Sequence, residues 1–414
     1  MRDVYSKAEF CIAATDAESG NVGLFFDRDV EQLTPVIVEA TWSNKDDTSD
    51  SSKWPRPGSY LFGFYEIHPR KAIDLAPLNG RAWVTQERFL SPRILHFTKD
   101  LLFWECHTCL ANENDPLASL TRFVGELNIL KKILNNSKTP ESSVRPLQDI
   151  IVHNTSNDTK HTNPRQIYGA WNQFLHLYTA CGITKESDIL VALAGVADEV
   201  GHATNDCLVA GLWKKRFIEQ LCWRVYGKTS RPSIWRAPSW SWASFSGAVR
   251  DVPRYKRPHG MAAIIASHIS TKPSGEVEQG SILLQCRLIP ATVNKWVEYK
   301  TSHVCGTLDR RILTSFTEAL NFCDNELITI QFDVKDDPCH NADQTVDIQL
   351  LALMKEDKKE GDDISLAVMG ICVVNSKNQD SAFERVGHFE AWYETAKPVL
   401  AAYNQAPVQS ILLV

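Results

Sequence analysis

Short runs of apolar residues along the first part of the chain predict β-strands. Residues 8–15 form one such run and predict a buried strand close to the start. Residues 30–42 and 59–67 have the same strand-like character. The stretch between them, 43–58, is rich in Asp, Ser and Pro, which is typical of a surface loop.

The segment from Gly80 to Cys109 combines a helix pattern with a hairpin pattern. Arg81 to Leu90 predicts a short helix that ends at Ser91-Pro92, because the residue before a proline is pushed away from helical backbone angles. Residues 93–97 and 101–106 then predict two strands joined by a short polar connection, as in a β-hairpin.

The middle of the chain predicts helices after a polar loop at 137–163. Apolar residues recur at helical spacing in three successive segments, and Gly201 is placed as the C-terminal stop of the second. The apolar positions are Trp171, Phe174, Leu175 and Tyr178; Ile189, Ala192, Leu193, Val196 and Val200; and Trp213, Phe217 and Leu221.

A strand is predicted where the helices end, in the segment Ala237 to Ser244 (APSWSWAS). Strict alternation there places Trp240 and Trp242 on one face of the strand and the serines on the other.

The last part of the chain predicts an antiparallel β-rich unit. Residues 251–280 are interpreted as a connection, and a final helix is expected near Phe389 to Tyr403, bent or shortened by Pro398. The strand candidates between them are 281–288, 325–334, 346–355 and 365–374. The predicted organisation is an α/β region at 1–112, a helical region at 113–250 and a β-rich region at 251–414.

Composition narrows the class of protein. The chain has 414 residues, of which 43% are apolar and 23% charged, with a net charge of −6. These values are those of a folded protein, and the absence of a basic block argues against nucleic acid as a partner. Without an apolar run of about 18 residues, no transmembrane helix is expected. The N-terminus does not resemble a signal peptide.

Cysteine and tryptophan counts add two expectations. Eleven cysteines, an odd number with no secretion signal, predict reduced and mostly buried thiols in a cytoplasmic protein. Twelve tryptophans are unusual, and they favour tight domain packing, with a ligand pocket as the alternative.

Glu87 is the first candidate for chemistry. In a helix over 81–90, Trp83 and Glu87 are four residues apart and share one face. A carboxylate beside an indole ring loses solvent, which raises its pKa and suits acid–base chemistry. The structural alternative is a glutamate paired with Arg81, Arg88 or Arg93. Those arginines could instead bind a phosphate or carboxylate, with Arg81, Arg88 and Trp83 as ligand-binding residues; an internal charge network is the favoured interpretation.

The second candidate is the C-x-x-C motif Cys106-His107-Thr108-Cys109, with His96 nearby. Its spacing could hold zinc, but a second ligand pair is absent, so no metal is predicted. A redox role would need a helix N-terminus to lower a thiol pKa, and the motif follows a strand. The chain has no phosphate-binding loop, dinucleotide fingerprint, zinc-protease motif or nucleophile elbow.

Three sequence blocks carry a resemblance to a known family. RAWVTQE (81–87), LLFWEC (101–106) and APSWSWAS (237–244) resemble motifs of the fungal heterokaryon-incompatibility (HET) domain, and the resemblance covers about residues 1–250. Met1 aligns with an internal methionine of the family pattern, and two earlier family motifs are absent. The resemblance therefore implies a HET domain that lacks its N-terminal part.

The resemblance implies a role in fungal non-self recognition and programmed cell death. One function is a non-catalytic signalling module that self-associates or binds a protein partner. The other follows from the likeness of HET domains to Toll/interleukin-1-receptor (TIR) domains, whose NAD-cleaving members carry a Trp-x-x-x-Glu element. Trp83 to Glu87 has that spacing, so NAD would be the substrate and Glu87 the catalytic carboxylate, with no bound cofactor. Because the first strands of such a nucleotide site are missing, the chain as written is expected to have no enzymatic activity even if its full-length relatives are enzymes.

Overall fold

The chain forms two compact units, residues 1–141 and 142–414. The computed structural model describes residues 2–28, 36–41, 58–62, 69–114, 130–131, 164–250, 259–300, 308–315, 328–333, 346–360, 363–392 and 395–414. The predicted loop at 137–163, and the predicted loop at 43–58 except for Gly58, lie outside these residues.

Helices and short strands alternate in the first unit, as the predicted mixture of α and β elements requires. The elements are α1 (Arg2–Ser6), β1 (Cys11–Ala13), β2 (Val36–Ala40), β3 (Gly58–Phe62), α2 (Pro69–Asp74), α3 (Ala82–Leu90), β4 (Arg93–Phe97), β5 (Leu102–Cys106) and β6 (Leu110–Asn112). A 3-10 turn at Pro77–Gly80 precedes α3.

A four-stranded sheet organises this unit in the order β1-β4-β5-β6. β1 runs parallel to β4, the other neighbours are antiparallel, and β2 and β3 form a separate hairpin. The predicted helix α3 and the β4–β5 hairpin are confirmed, and Ser91 takes extended angles before Pro92. The prediction of a buried strand over 8–15 is wrong in length and burial: β1 is an edge strand, and Ile12 is 56% exposed.

The second unit begins with helices and continues as strands. Its elements are α4 (Pro164–Ala180), α5 (Ala194–Thr204), β7 (Leu208–Val209), β8 (Leu212–Trp213), α6 (Phe217–Gln220), β9 (Arg224–Ser230), β10 (Ser246–Arg250), β11 (His259–Gly260), β12 (Ala263–Thr271), β13 (Val277–Cys286), β14 (Leu288–Lys300), β15 (Leu308–Ser315), β16 (Ile328–Phe332), β17 (Val346–Glu360), β18 (Asp363–Asn375), β19 (Ala382–Trp392), α7 (Ala396–Gln405) and β20 (Gln409–Leu413).

Six strands of this unit close into a ring by hydrogen bonding. β17 pairs with β14, β14 with β15, β15 with β16, β16 with β19, and β18 joins β19 back to β17, all antiparallel. α7 packs on β14, β18 and β19, and its Ala396 and Val399 belong to the same apolar core as Phe389 and Leu350. The predicted antiparallel β-rich unit is confirmed.

The second and third predicted helices are corrected. The second runs through Gly201 and ends at Asn205, whose left-handed backbone (φ 50°) caps it. Gly201 is required for another reason, because a Cβ there would lie 2.8 Å from the Asp206 carbonyl oxygen. In the third, Trp213 lies in strand β8, since Ala210 and Gly211 both have positive φ and form the tight turn of a β7–β8 hairpin.

The segment APSWSWAS is not the predicted strand. It turns into a short 3-10 helix at Trp242–Ser244, whose N-cap is Ser241. Ser241 is buried together with Trp240 and Trp242, and its hydroxyl donates to the Ala210 carbonyl at 2.6 Å. The alternating sequence therefore does not place tryptophans and serines on opposite faces, because the turn buries Ser241 together with Trp240 and Trp242.

The C-terminal boundaries are also corrected. Residues 251–280 contain strand β12, whose side chains are mostly exposed and so carry no alternating pattern. Phe389 lies in β19, a central strand buried on both faces, where periodicity cannot separate a strand from a helix. The final helix begins at Ala396, so Pro398 lies in its first turn, where proline is tolerated.

Tryptophan packing is confirmed for the buried rings of the second unit. Trp171 meets Trp213 edge to face at 5.1 Å between centroids, and Trp223 stacks on Phe245 at 5.2 Å. Among the residues whose burial is described, the buried tryptophans are Trp171, Trp213, Trp223, Trp240 and Trp242. These rings form the core between the helices and β9–β10.

A buried arginine connects this aromatic core to the ring of strands. Arg385 of β19 pairs with both oxygens of Asp333, at 2.9 and 3.0 Å, and donates to the carbonyls of Leu221 and Trp223. Its guanidinium also lies over the Trp223 ring. Four hydrogen bonds and the ring contact therefore compensate for the burial of the guanidinium charge.

We expect Asp333→Ala to destabilise the second unit strongly, because it leaves the Arg385 charge buried without its carboxylate. Removing one partner of a buried pair costs about 3–5 kcal/mol of unfolding free energy. Urea denaturation followed by tryptophan fluorescence measures this loss. The control is Lys272→Ala, which breaks an exposed pair with Glu276 and should leave the unfolding free energy close to wild type. Equal effects of the two variants would contradict the prediction.

Candidate functional site

Glu105 is the centre of a buried charged cluster in the first unit. Glu105 is only 4% exposed, yet its carboxylate accepts hydrogen bonds from Arg88 Nε and His96 Nε2, both at 2.8 Å. Lys131 Nζ lies 3.5 Å from the other carboxylate oxygen. We call Glu105, Arg88, His96, Lys131 and Asp74 the Glu105 cluster.

The hairpin and helix α3 place these groups by their local geometry. In the β4–β5 register, Ile94 is opposite Glu105, so His96, two residues further along β4, lies on the same face of the sheet. Arg88, in the last turn of α3, reaches Glu105 with Nε and Asp74 of α2 with Nη1 at 2.7 Å. Two carboxylates therefore flank one guanidinium.

Opposite charges decide the ionisation of the Glu105 cluster. Burial alone would raise the pKa of Glu105, but Arg88, Lys131 and the His96 hydrogen bond hold it well below its ordinary value. Burial likewise opposes the charged form of Arg88, yet Glu105 and Asp74 raise its pKa. Burial prevails at Lys131, whose pKa is lowered despite Glu105.

His96 is held neutral, and its tautomer follows from its partners. Burial lowers its pKa more than the Glu105 carboxylate raises it. An ionised carboxylate only accepts, so the proton of the neutral ring is on Nε2. Nδ1 then accepts from the Thr15 hydroxyl at 2.9 Å. Both ring nitrogens are engaged, so His96 is not available to the thiols as a zinc ligand.

Cys106 and Cys109 face each other beside this cluster, at the end of the β5–β6 hairpin. Their sulfur atoms are 3.6 Å apart, and the Thr108 hydroxyl lies 3.0 Å from Cys106 Sγ. The hydrogen bond from Cys109, followed by those from Thr108, lowers the pKa of the Cys106 thiol, while the same pairing raises the pKa of Cys109. Hydrogen bonds within the turn therefore lower the pKa of this thiol, an effect that the sequence analysis expected only at a helix N-terminus.

Glu87 and Trp83 lie on α3, as predicted, and Arg81 is the extended residue just before it, but all three are outside the Glu105 cluster. Glu87 and Trp83 are partly exposed and Arg81 is exposed. Glu87 accepts a hydrogen bond from the Tyr5 hydroxyl, which together with burial raises the pKa of Tyr5 to about 12. The partner shown at Glu87 is thus a tyrosine of α1, rather than one of the arginines named from sequence.

Two of the three arginines are used internally. Arg88 is committed to Glu105 and Asp74, and Arg93 donates to the Glu9 backbone carbonyl at 3.1 Å. This geometry favours the charge-network interpretation of Arg88 over its use as a ligand-binding residue.

Sequence reasoning missed three members of the site: Asp74, Lys131 and Thr15. Asp74 follows the buried Ile73 at the end of a short helix, and Thr15 lies just after β1. Only a charge adjoining a buried apolar position, as at Ile73-Asp74 and Leu130-Lys131, could have pointed to two of them. A charged residue next to an apolar one is common on protein surfaces, so this pattern would not have singled out Asp74 or Lys131.

Comparison with known proteins finds no family, no curated protein and no solved structure that matches this chain. Within the described residues, no three His, Cys, Asp or Glu side chains are grouped so that they could hold a metal ion. None of the helices described is both long and apolar enough to cross a membrane. The eight described cysteines are all free, and four of them are buried.

We expect the stability of the first unit to fall as the pH drops below about 6.5, because of His96. Its folded pKa is below the unfolded value of 6.5, so in this range the unfolded chain binds a proton that the folded chain does not. The uptake of one proton lowers the unfolding free energy by at most about 1.4 kcal/mol for each pH unit. Hydrogen exchange of β4 and β5 peptides at pH 7.5 and 5.5, corrected for intrinsic rates, measures the change.

The comparison that isolates His96 is between wild type and His96→Gln. The Cys106 thiolate also makes stability rise with pH, because its folded pKa is below its unfolded value, so the wild-type slope alone is insufficient. His96→Gln should reduce the slope, and His107→Gln, in the neighbouring turn, should retain it. Identical slopes in wild type and His96→Gln would refute the assignment.

Proposed function

We propose that the chain is a HET-type protein of fungal non-self recognition and cell-death signalling, acting in the cytoplasm as a non-catalytic module through protein contacts. The observation that carries the proposal is how the side chains of the most distinctive segment, Arg81 to Cys106, are bonded. Its residues Arg88 and His96 are both hydrogen-bonded to Glu105 in a buried cluster. A block used in this way supports a structural role for its motif residues.

Burial makes the Glu105 cluster a poor catalytic centre. The Glu105 and Arg88 side chains are 6% and 11% exposed, and they pair with each other at 2.8 Å, while Arg88 also pairs with Asp74 at 2.7 Å. A substrate would have to displace those partners and would leave charges unpaired in a low-dielectric interior, which is costly. Recognition by an exposed surface requires no such displacement.

Exposed apolar residues supply candidate contact surfaces. Among the described tryptophans, Trp235 is the exposed one, at 56%, and the neighbouring Ile234 is also exposed. Both line a groove of about 750 Å³ in the second unit, together with Pro232 and His268. Tyrosine, tryptophan and arginine anchors dominate the energy of many protein interfaces. We therefore assign partner contact to Ile234 and Trp235.

The alternative function is a TIR-like enzyme that cleaves NAD with Glu87 as the catalytic carboxylate. One observation favours it over any role for Glu105: Glu87 is partly exposed, four residues after the partly exposed Trp83 on α3. A ribosyl cation formed as nicotinamide leaves would be stabilised by a carboxylate that solvent and substrate can reach. The TIR-like fold of the first unit is part of this alternative.

We expect the purified full chain to leave NAD unhydrolysed, because the proposed role needs no catalytic carboxylate. NAD concentration is followed over time for wild type and Glu87→Gln, with a known NAD-cleaving enzyme as the positive control. NAD loss in wild type that Glu87→Gln abolishes would instead establish the alternative. Glu9→Gln, which changes an exposed carboxylate elsewhere in the same unit, is the matched control for that outcome.

We expect overexpression of the chain in a filamentous fungus to arrest growth through surface contacts. Glu87→Gln should retain the arrest, whereas the double variant Ile234→Ser, Trp235→Ser should lose it at equal protein level. Val408→Ser, which changes an exposed apolar residue in the same unit, should behave as wild type. Loss of arrest in Glu87→Gln alone, or no arrest by wild type, would count against the proposal.

A further inference from the structure

The turn between β5 and β6 brings two thiols into reacting distance. Glu105 pairs with Leu110 in the hairpin register, so Cys106 and Cys109 oppose each other across a two-residue loop, His107-Thr108. The Cys106 N–H donates to the Cys109 carbonyl at 2.9 Å, which fixes the two strands at this point. The sulfur atoms are 3.6 Å apart, and a disulfide bond of about 2.05 Å needs a further approach of only about 1.5 Å.

The two sulfurs are chemically different. Cys106 Sγ accepts a hydrogen bond from the Cys109 backbone N–H at 3.4 Å. The Thr108 hydroxyl at 3.0 Å and the Cys109 thiol at 3.6 Å can both donate to the same sulfur. Lys131 is close enough for its charge to interact with that sulfur. Such surroundings stabilise a thiolate, which is the nucleophilic form of cysteine. The backbone N–H of Cys109 points at Cys106 Sγ and can only donate, so this contact assigns the thiolate to Cys106 and leaves the proton on Cys109.

We propose that Cys106 and Cys109 form a redox-active dithiol that reduces hydroperoxides and closes into an intramolecular disulfide. Cys106 is the attacking sulfur and Cys109 the resolving one. The assignment follows from the geometry of the hairpin turn and does not depend on the recognition function proposed above.

The reaction balances with hydroperoxide as the only oxidant. The Cys106 thiolate attacks one peroxide oxygen, the O–O bond breaks, and a sulfenic acid forms while hydroxide leaves. Cys109 sulfur then attacks the Cys106 sulfenic sulfur, forming the S–S bond and expelling hydroxide, which takes the Cys109 proton as water. In total, two thiols and hydrogen peroxide give one disulfide and two molecules of water.

Burial selects the kind of oxidant. Cys106 is 7% exposed, so a water-sized peroxide can reach its sulfur more readily than a bulky disulfide such as oxidised glutathione. Other thiols of the chain serve as internal standards. Cys207 is exposed, whereas Cys222 is buried and its pKa is raised by that burial.

The test treats the reduced full chain with hydrogen peroxide at pH 7, blocks remaining thiols at timed intervals and analyses the peptides by mass spectrometry. The peptide that contains Cys106 and Cys109 should lose two hydrogens at least about tenfold faster than Cys207 is oxidised, as expected of an activated thiolate. Oxidised glutathione at the same concentration should act more slowly. Oxidation no faster than that of Cys207, or stoichiometric zinc bound to these thiols in the purified protein, would overturn the proposal.

Variants separate the roles of the two thiols. In Cys109→Ser the reaction should stop at the Cys106 sulfenic acid, which dimedone traps; in Cys106→Ser, Cys109 should show no rapid oxidation. Thr108→Val keeps the shape of an exposed turn residue but removes its hydroxyl, so oxidation should slow several-fold. Cys207→Ser is the matched control and should not change the rate. Sulfenic acid on Cys109 rather than Cys106 would refute the assignment of roles.

Discussion

A charge that becomes buried on folding needs an oppositely charged partner inside the protein. Each unit contains one such buried charge, whose partners connect several of its elements. In the first unit it is the Glu105 carboxylate, held by Arg88 and His96. In the second it is the Arg385 guanidinium, held by Asp333. Each partner comes from a different element, so the elements must assemble together: a missing partner leaves a charge whose burial costs several kcal/mol.

The same constraint separates structure from chemistry within the most distinctive block of the sequence. Groups that look catalytic in isolation, such as Arg88 and Glu105, neutralise each other and are closed to solvent. The groups to which chemistry is proposed lie at the edge of the cluster. Glu87 is partly exposed on the same helix, and Cys106 lies at the end of β5, where hydrogen bonds lower the pKa of its thiol.

Predictions from sequence succeeded where residues close together in the sequence determine the local structure. Ser91-Pro92 ends α3 because of a local clash, and the hairpin after it follows from two strand-like runs joined by a short polar connection. They failed where distant packing overrides the local pattern. Gly201 is needed for a close approach to Asp206 rather than to stop a helix, and Phe389 lies in a strand buried on both faces.

The sequence by itself determined α3, the hairpin that follows it and the presence of a charge network in that block, because helix and turn preferences act over a few residues. Only the tertiary structure decided the partners. Thr15, Asp74 and Lys131 reach the site from segments well separated along the chain, and no local pattern marks them. The surroundings of the Cys106 sulfur were decided in the same way, since they depend on where hydrogen-bonding groups lie in space and not on the spacing of the C-x-x-C motif.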